Sequence, residues 1–273
     1  MIRKAGNIHL VQSVKGIWVK LLLIGGALFA FEMIFSLVAT SAKVYQGMMH
    51  DMEDIPPFVE KMMGTGFVDA VVKYGVIALG YIHPFMMILF IVFIFIAVSQ
   101  VVTTEISSGT IGFTLSKPVS RIRMYINLMV IIFAGLGVLS FFTFMSSALG
   151  IVFFHSEKLT SGPFSSLACN LFLLMIFIAG YIAIFAAFSD TGKKLFTIGG
   201  ITLFAFYIID MAASLWKPLE YLSPVNPFNY YDPMPLLMGG RISSEKAIGL
   251  IAVSVIMFGI GAWLFSRRDL ASG

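Results

Sequence analysis

The residues that could do catalytic chemistry in this chain are few and scattered. No serine or cysteine lies in a recognisable nucleophile motif, and the single cysteine, Cys169, lies in an apolar run where a structural role is expected. The four histidines form no H-E-x-x-H pair that would suit zinc; they are His9, His50, His83 and His155. We therefore expect no catalytic residues and no metal site, and an intramembrane enzyme is the weaker alternative.

A phosphate-binding loop is also missing from the sequence. The nearest stretch, TGKK at 191–194, has Ala187 at the position of the first glycine in G-x-x-x-x-G-K-[ST]. Lys194 stands where the motif needs a serine or threonine. The sequence therefore predicts that this chain binds no nucleotide cofactor.

Glu32 is a carboxylate in the middle of a long apolar run, residues 19–40. A central acid in a membrane helix costs about 2.5–3.5 kcal/mol on insertion scales, so it usually faces the interior of a helix bundle or an aqueous cavity. Two roles are open. In the functional role, Glu32 lines the translocation route or couples transport to protonation. In the structural role, it makes a hydrogen bond to a polar residue of another helix, for example Gln100, Asn127 or Asn170.

Asp210 is a second acid in an apolar run, residues 195–215. It lies near the end of that run, close to Trp216 and Lys217, which are typical of a membrane interface. We expect Asp210 to be a surface or gate residue rather than a substrate ligand, and with Glu32 it is the second candidate residue of a pathway.

The composition indicates which elements hold these residues. The chain is 59% hydrophobic and 12% charged, whereas soluble proteins carry about 25% charged residues. An apolar run of about 20 residues can cross about 30 Å of hydrocarbon as a helix. Six runs qualify: 19–40, 78–102, 124–154, 167–188, 195–215 and 247–266. The predicted fold class is all-α, a single membrane domain of six transmembrane helices over residues 1–273.

The segment before the first run has its own pattern. Apolar residues recur there at steps of three or four among lysines, which predicts an amphipathic helix over residues 1–18 lying along the inner membrane surface. The small residues at 38–42 resemble a signal-peptide cleavage site. Cleavage is disfavoured because the run is longer than a usual signal core and five more runs follow.

Lysine and arginine are distributed unevenly between the two sides of the predicted bundle. One side collects the bases Arg3, Lys4, Lys15, Lys20, Lys117, Arg121, Arg123, Lys193, Lys194, Arg267 and Arg268. The opposite loops carry more acids than bases. By the positive-inside rule we predict a multi-pass protein of the cell membrane (plasma or inner), with both termini cytoplasmic. This bias accounts for the formal net charge of +4, so no nucleic-acid partner is predicted.

Two segments on the predicted outer side stand out. Residues 45–73 place methionines and other apolar residues among acids, which is typical of an amphipathic helix. Packing on the membrane, an adaptable surface for amphiphiles and a Cu(I) site that includes His50 are the alternatives. Residues 216–240 contain five prolines, which forbid a regular helix through that stretch.

Residues 103–121, TTEISSGTIGFTLSKPVSR, separate the second and third runs. Gly109 can end one helix in a left-handed cap, Pro118 disfavours helix at Lys117, and Ser120 can cap the next helix. The turn between them presents three apolar side chains: Ile111, Phe113 and Leu115. The pattern predicts a short helix held between two rigid ones; the alternative is an ordinary hairpin turn whose bases obey the positive-inside rule.

The same segment carries a resemblance to a known family. Glu105-x-x-x-Gly109-Thr110, then Leu115, then Pro118-x-x-Arg121 resembles the first cytoplasmic loop of permease subunits of ABC type-2 exporters. The amphipathic N-terminal segment, the six runs, the cytoplasmic termini and the Pro-rich outer segment agree with that family.

The resemblance implies that the loop is a coupling helix that docks on a separate ATP-binding subunit. Glu105 would face a basic or amide partner, Gly109 and Thr110 would make the turn, and Arg121 would steady the loop or contact the partner. The broken outer segment 216–240 would be partly re-entrant.

The family also implies an assembly. It contains two ATP-binding cassette subunits, which bind ATP and Mg²⁺, and a second permease subunit, identical or similar to this one, in the membrane lipid. The expected cargo is an amphipathic peptide, drug or lipid. The alternative is a membrane subunit that transports nothing and tethers an ATPase for immunity or sensing.

Overall fold

A computed structural model describes residues 2–38, 67–74, 77–100, 121–154, 160–189 and 191–267, with isolated positions at 47, 50, 56–58 and 61. At residues 2–15 and a few other helix-end positions it describes the backbone alone. The predicted coupling residues Glu105, Gly109, Thr110, Ile111, Phe113, Leu115 and Pro118 lie outside the described residues. Arg121 is the first residue of a described helix. Most of the methionine-containing segment 45–73 also lies outside the described residues.

The described residues form helices and contain no strand. In chain order the helices are α1 (Ile2–Val38), α2 (Phe67–Tyr74), α3 (Ile77–Ile82), α4 (Pro84–Val98), α5 (Arg121–Phe154), α6 (Gly162–Ala186), α7 (Gly192–Ala213), two 3-10 helices (Lys217–Val225 and Pro227–Tyr230), α8 (Pro233–Leu237) and α9 (Ser244–Arg267). Five of them, α1, α5, α6, α7 and α9, are long and apolar enough to cross a membrane. The all-helical fold class is confirmed for the described residues.

The second predicted run is not one helix. Pro84 has no backbone N–H and its ring clashes with a preceding helical turn, so the helix stops and restarts there. His83 is extended, with φ −67° and ψ 129°, and its Nδ1 accepts a hydrogen bond of 3.2 Å from the Phe85 N–H as an N-cap. The predicted run 78–102 is therefore divided into two helices where the structure describes it, and α4 alone has 15 residues. That the two together make one of six spans stays a prediction.

The N-terminal segment is likewise different from the prediction. α1 runs without interruption through 37 residues, which at 1.5 Å per residue is about 55 Å. The expected boundary at residue 18, between a surface helix and the first membrane span, is absent from this helix. A surface position for residues 1–18 stays a prediction.

α6 is the central helix of the bundle. It packs against α4, α5, α7 and α9, and 67% of its most apolar stretch is buried, compared with 17% for α7. α1 packs along α5 and also meets α3 and α4. The outer faces of α1, α7 and α9 are apolar and exposed, as expected of helices that meet lipid or another subunit.

The segment between α7 and α9 confirms the prediction that its prolines interrupt a regular helix. It forms the two 3-10 helices and α8, and Asn226 ties it back to the bundle through a hydrogen bond of 2.7 Å from Nδ2 to the Phe206 carbonyl. Asn170 of α6 holds the same segment twice. Its Nδ2 donates to the Tyr230 carbonyl at 3.2 Å, and its Oδ1 accepts from the Asp232 N–H at 3.3 Å.

Candidate functional site

A groove opens at one end of the bundle, between α1, α4 and α7. It has a volume of about 420 Å³. Eight described residues line it: Lys20, Val92, Phe95, Ile96, Ser99, Gln100, Gly192 and Phe196. We refer to this end, where Lys20 and Gln100 lie, as the predicted cytoplasmic end.

Besides Ser99, the polar part of the groove is a pair of side chains from two helices. Lys20 Nζ on α1 donates a hydrogen bond of 2.9 Å to Oε1 of Gln100, which follows α4. Gly16, one turn before Lys20, makes room for this contact, since any side chain at Gly16 would collide with the Gln100 amide. Lys20 is the one charged residue among the eight described residues that line the groove.

The remaining wall of the groove is apolar and aromatic. The rings of Phe95 on α4 and Phe196 on α7 lie 4.9 Å apart and are tilted by 52°. Gly199 lets α7 approach Phe95, since an added Cβ there would lie 3.2 Å from that ring. The groove is therefore amphipathic, with a cation and an amide at one end and aromatic rings along its side.

Glu32 lies in a different place, inside the bundle between α1, α3 and α5. Its side chain is fully buried, and Oε1 accepts a hydrogen bond of 3.1 Å from Ser147 Oγ. Ser147 Oγ also lies 3.3 Å from Tyr81 Oη. Because a serine hydroxyl carries one hydrogen, Tyr81 can donate to Ser147 while Ser147 donates to Glu32.

The second carboxylate oxygen of Glu32 is unusual. Oε2 is buried and has no hydrogen-bond partner among the described residues. It faces Gly80 of α3, where any side chain would overlap the carboxylate. The small residue at position 80 thus allows α3 to pass directly over Glu32.

Glu32, Ser147 and Tyr81 form a buried cluster, the Glu32 cluster. α3 links this cluster to the end of the bundle opposite the groove. The carbonyl of Tyr81 accepts a hydrogen bond of 3.0 Å from Tyr231 Oη. Tyr231 belongs to the Pro-rich segment 216–240 on the predicted outer side, called the outer segment below. Burial, followed by the nearby Glu32, raises the pKa of Tyr231 well above its ordinary value, so its hydroxyl stays a neutral donor. Tyr81 therefore contacts the Glu32 cluster through its side chain and the outer segment through its backbone.

Asp210 lies near the end of α7, half-buried and close to the outer segment, where the sequence places it. Lys246 in the first turn of α9 acts electrostatically on Asp210. The same ammonium also pairs with Asp232, at 3.1 Å from its Oδ2. A surface or gate role for Asp210 stays a prediction; the ion pair of Lys246 with Asp232 lies in its surroundings.

The sequence pattern singles out Glu32 but not the residues around it. Its described partner is Ser147, whereas Gln100 bonds Lys20 and Asn170 holds the outer segment. A serine in an apolar helix is too common to single out. Pro84 was a usable signal, because it predicts the break that places Tyr81 and Gly80 on a separate short helix.

The chain was compared with known proteins. A family model described as "multidrug efflux system permease Rv1217c, C-terminal domain" matches residues 19–266. The search among curated proteins gave no match. Since the family model covers nearly the whole chain, this protein belongs to the family of the multidrug efflux system permease Rv1217c, C-terminal domain.

Proposed function

We propose that this chain is the membrane permease subunit of an ATP-driven ABC exporter, which moves an amphipathic substrate out of the cytoplasm or the inner leaflet. The observation that carries the proposal is the amphipathic groove between α1, α4 and α7 in a member of a multidrug efflux permease family. Its volume falls in the range of about 300–1,000 Å³ that is usual for small-molecule sites. A cation at one end and aromatic rings beside it suit a molecule with a polar head and an apolar body.

The proposed topology has six spans. α3 and α4 together run from residue 77 to 98, which corresponds to about 33 Å of helix, enough to cross the hydrocarbon as one broken span. With the five long helices this makes six, so both termini lie on one side. The lysine and arginine distribution favours the cytoplasm for that side, and hence the groove faces the inner leaflet.

Energy for transport comes from another polypeptide in this proposal. The sequence has no phosphate-binding loop, and residues 103–121 would pass on the work of two ATP-binding cassette subunits, which hold ATP and Mg²⁺. A second permease subunit, identical or similar, would pack on the exposed apolar faces of α1 and α7. Those faces flank the groove, with Leu23 on α1 and Ile201 on α7 among their most exposed residues.

Co-purification from the native membrane tests this assembly. The chain is tagged, extracted in mild detergent and analysed by mass spectrometry for partner proteins and trapped small molecules. The proposal expects an ATPase with a phosphate-binding loop and an amphipathic ligand. Recovery of the chain without any ATPase, in several detergents that preserve its helical content, would contradict the proposal.

A further inference from the structure

The polar end of the groove carries a charge without a described counter-charge. Lys20 donates to the neutral amide of Gln100, and no acid is among the eight described residues that line the groove. A lysine ammonium has three donors and the contact with Gln100 uses one, so two remain for a ligand. Cations near apolar surfaces attract anions more strongly than cations in bulk water do.

The apolar side chains of the groove lie beside the Lys20 ammonium, so that one molecule with a charged headgroup and an apolar chain could contact both. Lys20 lies near the start of its membrane-spanning stretch, and Gln100 lies just past the end of α4, so both belong at the depth of lipid headgroups. Phe95 precedes Gln100 by five residues, which is about 7 Å along the helix into the membrane-spanning part of α4. Its ring contacts that of Phe196, so an acyl chain beside a headgroup at Lys20 could pack against both rings.

We propose that the Lys20–Gln100 end of the groove selects amphiphiles with an acidic headgroup, a phospholipid-like anion with its chain against Phe95 and Phe196. The inference rests on the proposed function and names the substrate class of the same site. A single lysine near a membrane surface favours an anionic over a zwitterionic lipid by about fivefold. We expect the same fivefold preference for an anionic lipid in this groove, with Lys20 as the residue responsible.

Native mass spectrometry of the full chain in nanodiscs tests the inference. The nanodiscs contain equal amounts of phosphatidylglycerol and phosphatidylcholine with identical acyl chains, and the lipids retained by the ejected protein are counted. For the unchanged protein we expect about fivefold more phosphatidylglycerol than phosphatidylcholine. Equal retention of the two lipids would overturn the proposal.

Charge variants assign the preference to the groove. Lys20→Gln is expected to bring the ratio close to one, and Lys20→Arg, which keeps the charge and the fold, is expected to preserve it. Lys193→Gln is the matched control, because Lys193 is an exposed base at the same end of the bundle but does not line the groove. Equal loss in Lys193→Gln and Lys20→Gln would mean that general surface charge sets the ratio, which overturns the proposal.

Two further experiments are needed. One distinguishes a lipid from a free phosphate as the ligand, and the other distinguishes a failure of this inference from a failure of the proposed function. Excess glycerol 3-phosphate, a headgroup without chains, is expected to leave the ratio unchanged; if it displaces the lipid, the site binds phosphate alone and the inference is wrong. ATP-driven transport is measured separately in vesicles. Transport without a lipid preference overturns the inference alone, and a lipid preference without ATP-driven transport overturns the proposed function alone.

Discussion

Glu32 and Ser147 join α1 to α5 through a hydrogen bond of 3.1 Å in the interior of the bundle. The carboxylate is fully buried and does not line the groove, so it is away from the surface on which we propose that the substrate binds. Its second oxygen faces Gly80 and has no partner among the described residues. This arrangement favours a structural role for Glu32 over a place on the transport route.

The first prediction concerns the ionisable carboxyl group of Glu32. Glu32→Gln keeps the shape and the hydrogen bond with Ser147 and replaces the carboxyl group by an amide that cannot ionise in the apolar interior, where a charge is costly. We expect export within about twofold of the unchanged protein and equal or higher thermal stability. Glu32→Ala, the comparison, removes the partner as well and should cost about 1–3 kcal/mol. Loss of export in Glu32→Gln with unchanged stability would show that protonation of this residue takes part in transport.

The second prediction concerns the close approach of α3 to α1. Gly80→Ala would force a methyl group into the Glu32 carboxylate, so we expect a lower unfolding temperature and less folded protein. Gly26→Ala on α1 is the matched control, because a Cβ there meets nothing within 4 Å. Combining Gly80→Ala with Glu32→Ala should recover part of the loss, since the colliding group is gone. Strictly additive effects would contradict the described contact.

The third prediction concerns the link between α3 and the outer segment. Tyr231→Phe removes the hydrogen bond to the Tyr81 carbonyl, whose loss is worth about 1 kcal/mol, or about fivefold faster opening. Hydrogen exchange of peptides covering residues 77–82 should rise accordingly. Tyr221→Phe is the control, since Tyr221 is 89% exposed and should change nothing. Unchanged exchange in Tyr231→Phe would mean that the outer segment does not hold α3.

The fourth prediction concerns the aromatic wall of the groove. Phe196→Ala should reduce export severalfold while stability changes little, because Phe196 is 56% exposed and its main described contact is Phe95. Phe141→Ala on α5 serves as the control. Phe141 is 59% exposed and does not line the groove, so export should be retained. Similar losses in the two variants would indicate a general effect of removing an exposed aromatic ring.

The helices of this chain could be predicted from its sequence better than the contacts between them. Five of the predicted runs correspond to long helices within a few residues, apart from the N-terminal extension of α1, because twenty consecutive apolar residues leave a membrane chain few alternatives. The second run was given as one helix because its residues are apolar, although proline is known to interrupt helices. The structure divides this run at Pro84 into α3 and α4.

The surroundings of Glu32 and Lys20 could not be predicted in the same way. The pairs with Ser147 and Gln100 join positions 115 and 80 residues apart, so they depend on how the helices pack, which a single sequence does not encode locally. The coupling residues from Glu105 to Pro118 lie outside the described residues. Their role stays a prediction from the family resemblance.

Export by reconstituted vesicles tests the central claim most directly. The chain and its co-purified ATPase are placed in vesicles with a fluorescent amphiphile, and ATP-dependent movement is compared with that of a Gly109→Pro/Leu115→Asp double variant. We predict ATP-dependent movement by the unchanged protein, and a double variant that inserts normally but neither transports nor stimulates the ATPase. An ATPase that cycles normally with no amphiphile moving, or a double variant that transports as well as the unchanged protein, would contradict the account.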